Sequence, residues 1–173
     1  MICRVGQVSV PPLTAAPPSD ALGIILRSLL DVGAAPKFPR PVDLVPVTYV
    51  RQAMVALMLH ARTFSTTYHV VNPSPVPPQL LWVLAQKHHL PLLPIQDWQM
   101  HAASFARMHP THELSPTLAF ISPTNGGNAT ALERALLRPA IDCSETLIGL
   151  EGRGIVCPPA DALLNRVLGR SSP

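Results

Sequence analysis

Proline constrains the fold of this chain more than any other residue. It occurs 21 times in 173 residues, more than twice the usual share of about 5%. Proline lacks a backbone N–H and clashes with the preceding helical turn, so it ends helices and is kept out of central strands. The sequence therefore predicts short elements joined by rigid connections, and it argues against long coiled coils.

The composition is that of a folded domain with a hydrophobic core. Hydrophobic residues make up 47% of the chain and charged residues 13%, which excludes disorder caused by low hydrophobicity. The net charge is +3, but no run is rich in lysine or arginine. Because nucleic-acid binding needs basic residues clustered on one face, we expect no nucleic-acid partner. The basic balance is compatible with an acidic protein partner.

Cysteine usage and hydropathy indicate a cytoplasmic protein. The three cysteines are few and odd in number, so we expect no disulfide framework and a reducing compartment. No apolar run is long enough to cross a membrane, and the first ten residues do not read as a signal peptide. They read as a chain that begins inside a strand, which suggests a fragment.

Hydrophobic periodicity and turn residues predict an alternation of strands and helices. We expect Ser19 and Thr48 to cap the first two helices and Gly33 to end the first. The third strand, continuous in apolar residues, is expected to be buried on both faces. The predicted strands are 2–8, 42–47, 67–71 and 92–95. The predicted helical segments are 20–32, 49–61, 78–88, 96–108, 116–121, 129–137, 144–150 and 159–168.

This alternation predicts an α/β fold, the edge of a parallel sheet with a helical appendage. We expect one portion of a domain over 1–173, with a sheet-associated part at 1–72 and a mainly helical part at 73–173. A parallel sheet must be covered on both faces, and three or four short strands make a thin sheet. The chain is therefore expected to be part of a larger α/β domain.

Motifs for hydride-transfer chemistry are absent from the sequence. The nine glycines never form the GxGxxG turn that cradles a dinucleotide. Short-chain dehydrogenases use a tyrosine with a lysine four residues later, but Tyr49 is followed at that distance by Ala53 and Tyr68 by Asn72. The nucleophile-elbow motif GxSxG is also missing. We therefore assign no catalytic residue.

Histidines and cysteines offer no constellation with ligand or nucleophile spacing. The close pairs His88–His89 and His109–His112 cannot supply the tetrahedral geometry that zinc requires, so no metal site is expected. Asp142 next to Cys143 disfavours a reactive thiolate, and Cys157 is interpreted as structural. A small unrelated enzyme using Cys157 or a histidine pair remains a disfavoured alternative.

Two aromatic residues are open to two interpretations. Tyr49 lies at helical spacing with apolar neighbours and favours a packing role. Trp98 opens a predicted helix beside Asp97, where it could line a pocket or pack in the core.

Four segments, in this order, resemble the C-terminal part of thioester reductase domains. These are extended short-chain dehydrogenase/reductases, found at the ends of non-ribosomal peptide and polyketide synthases and in aminoadipate and carboxylic acid reductases. The resemblance covers nearly the whole chain, with the poorest fit at 99–140. The segments are RVGQV (4–8), LVPVTYVRQAMVAL (44–57), TYHVVNPSPVP (67–77) and DCSETLIGLEGRGIVCPP (142–159).

The resemblance implies a Rossmann-like sheet with a helical substrate-binding subdomain and an NADPH-dependent reduction. Domains of this family reduce a thioester on a carrier protein to an aldehyde or an alcohol. Their N-terminal half holds the glycine-rich turn and the catalytic residues, and their C-terminal half builds the substrate pocket. The implied partners are an N-terminal reductase half and an acyl or peptidyl carrier protein with its phosphopantetheine thioester.

A small set of residues can be matched to the family pattern. Val5, Gly6, Gln7 and Val8 resemble the RPGQI strand end beside the nicotinamide, with Val5 in place of proline. Segment 47–50 resembles VDYV, with threonine in place of aspartate. We predict that Tyr49 and Trp98 are substrate-binding residues.

The sequence thus predicts the substrate-binding portion of a thioester reductase, inactive by itself because it lacks the cofactor turn and the proton donor. The alternative is a stand-alone, non-catalytic module that binds a carrier protein or a partner subunit. A fragment of a sheet exposes a strand edge and an apolar face. We therefore expect the isolated chain to self-associate or to be poorly soluble.

Overall fold

The computed structural model describes residues 1–10, 20–60, 65–122, 130–136 and 140–167. Short strands alternate with helices, as the spacing of prolines predicts. The strands are β1 (Ile2–Val5), β2 (Val8–Val10), β3 (Ala35–Pro36), β4 (Val45–Pro46), β5 (Thr67–Val70) and β6 (Leu92–Leu93). The helices are α1 (Ala21–Val32), α2 (Val47–His60), α3 (Pro78–Lys87), α4 (Ile95–Met108), α5 (Leu118–Ile121), α6 (Ala131–Leu136), α7 (Ser144–Leu150) and α8 (Ala160–Val167).

The strands form parallel pairs, which confirms the predicted α/β class. β1 pairs with β5, from Ile2 opposite Thr67 to Val5 opposite Val70. β2 pairs with β4, and β3 pairs with β6. Parallel neighbours need a crossover connection rather than a tight hairpin. In each pair, helical segments occupy that connection.

The chain divides into two compact units. The first unit contains Met1–Pro18, Asp43–Pro75 and Pro139–Pro173, and the second contains Ser19–Val42 and Val76–Arg138. The division of the chain at residue 72 into a sheet-associated and a helical part stays a prediction. Among the described residues, no helix is both long and apolar enough to cross a membrane.

The core of the first unit forms where α2, α7 and β5 meet. A Cβ atom on Gly149 of α7 would lie 2.5 Å from Leu57 Cδ2 and 3.3 Å from Tyr68 Cε1, so glycine is what lets α7 approach this closely. The buried hydroxyl of Thr146 donates a 2.8 Å hydrogen bond to the carbonyl of His69. This bond satisfies a polar group that burial would otherwise leave unpaired.

The core of the second unit lies between α1 and α4. α1 begins at Asp20, whose carboxylate accepts a 2.9 Å hydrogen bond from the Gly23 amide, and it ends at Gly33 with φ 74°. An ion pair between Arg27 and Glu113 ties α1 to the segment that follows α4. The prediction that Gly33 ends α1 is confirmed, because a left-handed residue there satisfies the last carbonyls of the helix.

Three local predictions differ from the structure. Asp20 caps α1, whereas Ser19 lies outside the described residues. α2 begins at Val47, so Thr48 lies inside its first turn. β5 is not buried on both faces: Tyr68 and Val70 are buried, and their neighbours in β5 are half-buried. α2, α7 and Tyr68 meet at Gly149, so these helices cover one face of β5.

The bounds of two predicted strands also differ from the structure, because of strand pairing in one case and a helix start in the other. The predicted first strand, 2–8, is split into β1 and β2, which pair with different partners. The predicted fourth strand, 92–95, stops at Leu93 because Ile95 already begins α4. The predicted helix ends at 61, 137 and 168 and the predicted helix start at 129 lie outside the described residues.

Candidate functional site

The segment from Val5 to Val8 lies at the carboxyl end of β1, the edge where parallel α/β proteins hold their ligands. The Gly6 amide donates a 3.0 Å hydrogen bond to the Val70 carbonyl, and the Gln7 carbonyl accepts a 3.0 Å bond from the Val45 amide. Val5 is 41% exposed and Val8 36% exposed. The backbone is thus held on both sides while side chains remain accessible.

Gly6 is required here by a contact within the chain. A Cβ atom on Gly6 would lie 2.1 Å from Asp43 Oδ2 and 3.2 Å from Val45 Cγ2. The space in front of the Gly6 Cα atom is therefore occupied by the Asp43 carboxylate. This explains glycine at the position without a cofactor, and the cofactor role of Val5–Val8 stays a prediction.

Asp43 and Asn72 hold this strand end, and sequence reasoning missed both. Asp43 Oδ1 accepts a 3.0 Å hydrogen bond from the Asn72 amide. The buried side chain of Asn72 donates to the Leu44 carbonyl at 3.0 Å and accepts from the Ser74 amide at 2.8 Å. A single carboxylate inside an apolar extended run, and an Asn-Pro-Ser turn directly after a strand, were the signals available.

Burial controls the protonation of Asp43. Desolvation raises the pKa of its carboxyl above the ordinary value, and backbone hydrogen bonds from Asn72 and Gln7 oppose that rise. Both effects follow from the same geometry, because a carboxylate that leaves water must find donors in the protein. The carboxylate therefore serves as an internal brace for the strand end.

Tyr49 lies inside the first unit, where it is 2% exposed. Desolvation raises the pKa of its hydroxyl to about 12, with smaller contributions from Cys157 and Cys143. A general acid works best with a pKa near the working pH. Tyr49 is thus a neutral hydroxyl at physiological pH, and its role in binding substrate stays a prediction.

Trp98 lies in the second unit, with a fully buried side chain. Its indole Nε1 donates a 3.0 Å hydrogen bond to the Ala34 carbonyl. Next to it, the buried side-chain nitrogen of Gln99 donates to Thr130 Oγ1 at 2.7 Å. These contacts are explained if Trp98 packs in the core. The role of Trp98 in binding substrate stays a prediction.

All three cysteines are free thiols. Desolvation is the largest cause that raises the pKa of Cys143 and that raises the pKa of Cys157 to about 12, with Asp142 and Asp43 respectively adding to it. A thiol with a raised pKa is a poor nucleophile at neutral pH. This disfavours the alternative of an enzyme that uses Cys157.

The histidine pair His109–His112 has partners within the fold. His109 stacks on Phe105 with ring centroids 4.3 Å apart. His112 Nδ1 accepts a 3.1 Å bond from the Leu114 amide, and Nε2 lies 3.2 Å from Asp31 Oδ2. Because Nδ1 accepts, the proton is assigned to Nε2, which donates to the carboxylate. In the described parts of the chain, no three histidine, cysteine or acidic residues are placed to hold a metal ion.

An open groove forms on the first unit, and sequence reasoning missed it. It has a volume of about 570 Å³ and lies between one side of α2 and the turn after α7. Its lining is formed by Arg51, Gln52, Val55, Ala56, Leu59, His60, Gly152, Arg153 and Ile155. Apolar side chains on the outward side of α2 were the signal for it.

No family model matches the sequence, but comparison with known proteins finds similar ones. The chain is 24% identical over 161 residues to an isonitrile lipopeptide synthase from Streptomyces coeruleorubidus, covering 91% of this chain and 11% of that protein. It also matches the crystal structure of the terminal R domain from the myxalamid PKS-NRPS biosynthetic pathway. That match has a TM-score of 0.71 and 28% identity, and it covers 95% of this chain and 40% of the other.

The chain therefore spans about a tenth of the first relative and less than half of the second. The structural match confirms the resemblance that the four sequence segments carried and the α/β fold expected from them. This protein is similar in sequence and fold to part of the terminal R domain from that PKS-NRPS biosynthetic pathway.

Proposed function

We propose that the chain is the C-terminal, substrate-binding portion of an NADPH-dependent thioester reductase. In this proposal it helps to release an acyl or peptidyl group from a carrier protein as an aldehyde or an alcohol. The observation that carries the proposal is the match to a terminal R domain over 95% of this chain. A cytoplasmic location belongs to the proposal, and three free thiols support a reducing compartment.

In this proposal the chain does not hold NADPH by itself. The sequence lacks the glycine-rich turn that holds the pyrophosphate, and the space beside Gly6 is filled by Asp43. The other half of a reductase domain would have to hold the cofactor, which supplies the hydride. The contribution proposed for this chain is to position the reactants rather than to transfer a proton.

The geometry gives Val5–Val8 the rigidity that such a role needs. This strand end is fixed by backbone bonds to Val70 and Val45 and is braced by Asp43. A backbone held in this way costs little entropy when a cofactor ring lies against it. In the proposal, Val5–Val8 form one wall beside the nicotinamide, and Tyr49 and Trp98 keep the substrate-binding roles predicted from the sequence, each within its own unit.

The partners proposed are the missing reductase half and a carrier protein. The edge of β1 supports the first, because among the described residues β1 pairs with β5 alone. Ile2 is 56% exposed and Val5 is 41% exposed, so β1 carries exposed apolar side chains next to its open edge. A strand from the missing half would complete hydrogen bonds that β1 cannot make here.

The test is complementation in trans. The chain is mixed with the N-terminal part of the related terminal R domain, and oxidation of NADPH by an acyl-pantetheine thioester is followed by absorbance. We expect no turnover from either part alone and formation of an aldehyde or alcohol from the mixture. Turnover by this chain alone would contradict the proposal.

The alternative of a non-catalytic module makes a different prediction in the same experiment. A module of that kind would bind a carrier protein but would not restore turnover when mixed with the reductase half. Binding of each partner is measured separately by calorimetry, so that lack of turnover is not confused with lack of assembly.

A further inference from the structure

α2 is apolar on two opposite sides. Its inward side is buried, with Tyr49, Ala53 and Leu57 at most 2% exposed. Its outward side carries Val55 at 52% and Leu59 at 73% exposure. Exposed apolar side chains that lie next to one another often mark a surface that binds a partner. The outward side of α2 therefore has the composition of a surface that is covered by a partner.

This outward side is one wall of the groove described above. The wall runs along α2 from Arg51 to His60, which at 1.5 Å per residue is about 13 Å, or two and a half helical turns. Val55 and Leu59 lie one turn apart on it and provide an apolar stripe. Ile155 contributes to the lining from the turn after α7.

The margins of the groove are cationic. Arg51 and Arg153 line it and are exposed, and in the part of the chain that the structure describes neither forms an ion pair. Arg153 Nε donates a 3.2 Å hydrogen bond to the Gly149 carbonyl. That bond uses one of the five guanidinium donors and anchors the side chain at the end of α7. The nearby carboxylate of Glu151 is not part of the lining.

The walls of the groove determine which backbone conformation a bound peptide segment can adopt. α2 satisfies its own backbone hydrogen bonds, so it offers no strand edge to which an extended peptide could add. The side of a bound segment that faces the apolar lining loses contact with water, so backbone N–H and C=O groups on that side need partners within the segment. An α-helix does this, and a helix of about three turns matches the length of the groove.

We propose that the groove between α2 and Gly152–Ile155 binds an amphipathic helix of a partner protein, apolar on one face and acidic along its margins. Apolar side chains of the partner would lie on Val55, Ala56 and Leu59. Its carboxylates would pair with Arg51 and Arg153. The apolar contact supplies most of the affinity, and the charges set orientation and salt dependence.

The test uses two synthetic helical peptides of the same leucine pattern, one with glutamates and one with lysines beside the stripe. Binding to the full chain is measured by fluorescence anisotropy at low and at high salt. We expect the acidic peptide to bind with a micromolar dissociation constant that rises with salt, and the basic peptide not to bind. Failure of the acidic peptide to bind would overturn the proposal.

Charge reversal separates this groove from general attraction to a basic protein. The double variant R51E/R153E should weaken binding of the acidic peptide by at least about tenfold and should gain binding of the basic peptide. The matched control is the double variant R40E/R107E, which changes the net charge equally at two exposed arginines of the second unit. Equal losses in the control and in R51E/R153E would overturn the proposal.

Leu59→Asp tests the apolar stripe, with Met108→Asp, at 71% exposure, as its matched control. Both positions are exposed, so each variant should keep the helical circular dichroism of the parent chain. We expect only Leu59→Asp to abolish binding of the acidic peptide. The competing occupant is a second copy of this chain: self-association that Leu59→Asp removes, measured by sedimentation velocity, would overturn the proposal.

Discussion

Gly6 illustrates how one residue position can have two explanations that experiment can separate. A strand-end glycine in this family pattern is expected to let a cofactor approach the backbone. Within the chain, the same glycine makes room for Asp43, whose Oδ2 lies where a Cβ atom would be. The second explanation concerns stability and needs no cofactor, so it can be tested on the chain alone.

Replacing Gly6 by alanine should lower the free energy of unfolding by about 1–3 kcal/mol, because Asp43 must leave its bonds to make room. Urea unfolding followed by circular dichroism measures the effect. In an Asp43→Ala background the same change should cost much less. An equal cost in both backgrounds would show that the carboxylate is not what requires glycine.

Tyr49 and Cys157 should make the chain sensitive to alkali. Burial raises the pKa of each to about 12, from 10.0 and 9.0. Groups with a raised pKa in the folded state contribute stability that is complete below their unfolded pKa and is lost as pH rises through the folded one. The free energy of unfolding should therefore fall between about pH 9 and pH 12.

The variant Y49F/C157A tests this assignment. Its urea midpoint should depend less on pH over that interval than the midpoint of the parent chain. Leu57→Ala, which removes a buried group that does not titrate, is the control and should displace the whole curve by a constant amount. A double variant whose pH dependence matches that of the parent would refute the assignment.

At the scale of elements, glycine at 149 sets how closely α7 approaches α2 and β5. Alanine is the better helix former by about 1 kcal/mol, but its Cβ atom would lie 2.5 Å from Leu57 Cδ2. Overpacking in a tight core costs about 1–3 kcal/mol. We expect the steric term to exceed the propensity term, so that Gly149→Ala destabilises the chain in urea.

The effect of Gly149→Ala on the free energy of unfolding should change sign when Leu57 is made smaller. In a Leu57→Ala background the clash with Leu57 disappears and only the 3.3 Å approach to Tyr68 Cε1 is left, so the propensity term should exceed the steric term and Gly149→Ala should stabilise the chain. This is a double-mutant cycle on residues in contact, where a coupling energy is expected. Additive effects would show that the two helices do not meet at this point.

At the scale of the whole molecule, the chain has the character of a part of a larger fold. It matches 40% of the length of the related R domain, and β1 has one unpaired edge among the described residues. Open edges of this kind promote association between chains. We expect the isolated chain to self-associate with rising concentration.

Ile2→Lys should reduce that association, because a charge beside an open edge disfavours pairing with another chain. Sedimentation velocity at several concentrations measures it. The control is Leu59→Asp, which is exposed to a similar or greater degree but lies on α2. A monomeric chain of 18.6 kDa that unfolds cooperatively would contradict the interpretation as a fragment.

The sequence predicted secondary-structure elements better than it predicted the contacts of individual residues. The helix Ser144–Leu150 was predicted to the residue, and the parallel pairing followed from the alternation of elements. The cap of α1 was displaced by one residue, because Ser19 and Asp20 have equally suitable side chains. Burial of β5 was overestimated, because an apolar run does not reveal how many faces its neighbours cover.

The local pattern of this sequence determined the α/β class, most of the element order except β3 and the break between β1 and β2, and the resemblance to a reductase domain, because these depend on periodicity, turn residues and short ordered segments. Only the tertiary structure decided that Gly6 packs on Asp43, that Asn72 braces the strand end, and that a groove lies beside α2. Those features join residues tens of positions apart, and no local pattern carries the distances between them. The composition of the site therefore depends on which residues the fold brings together, and the order of residues along the chain does not show this.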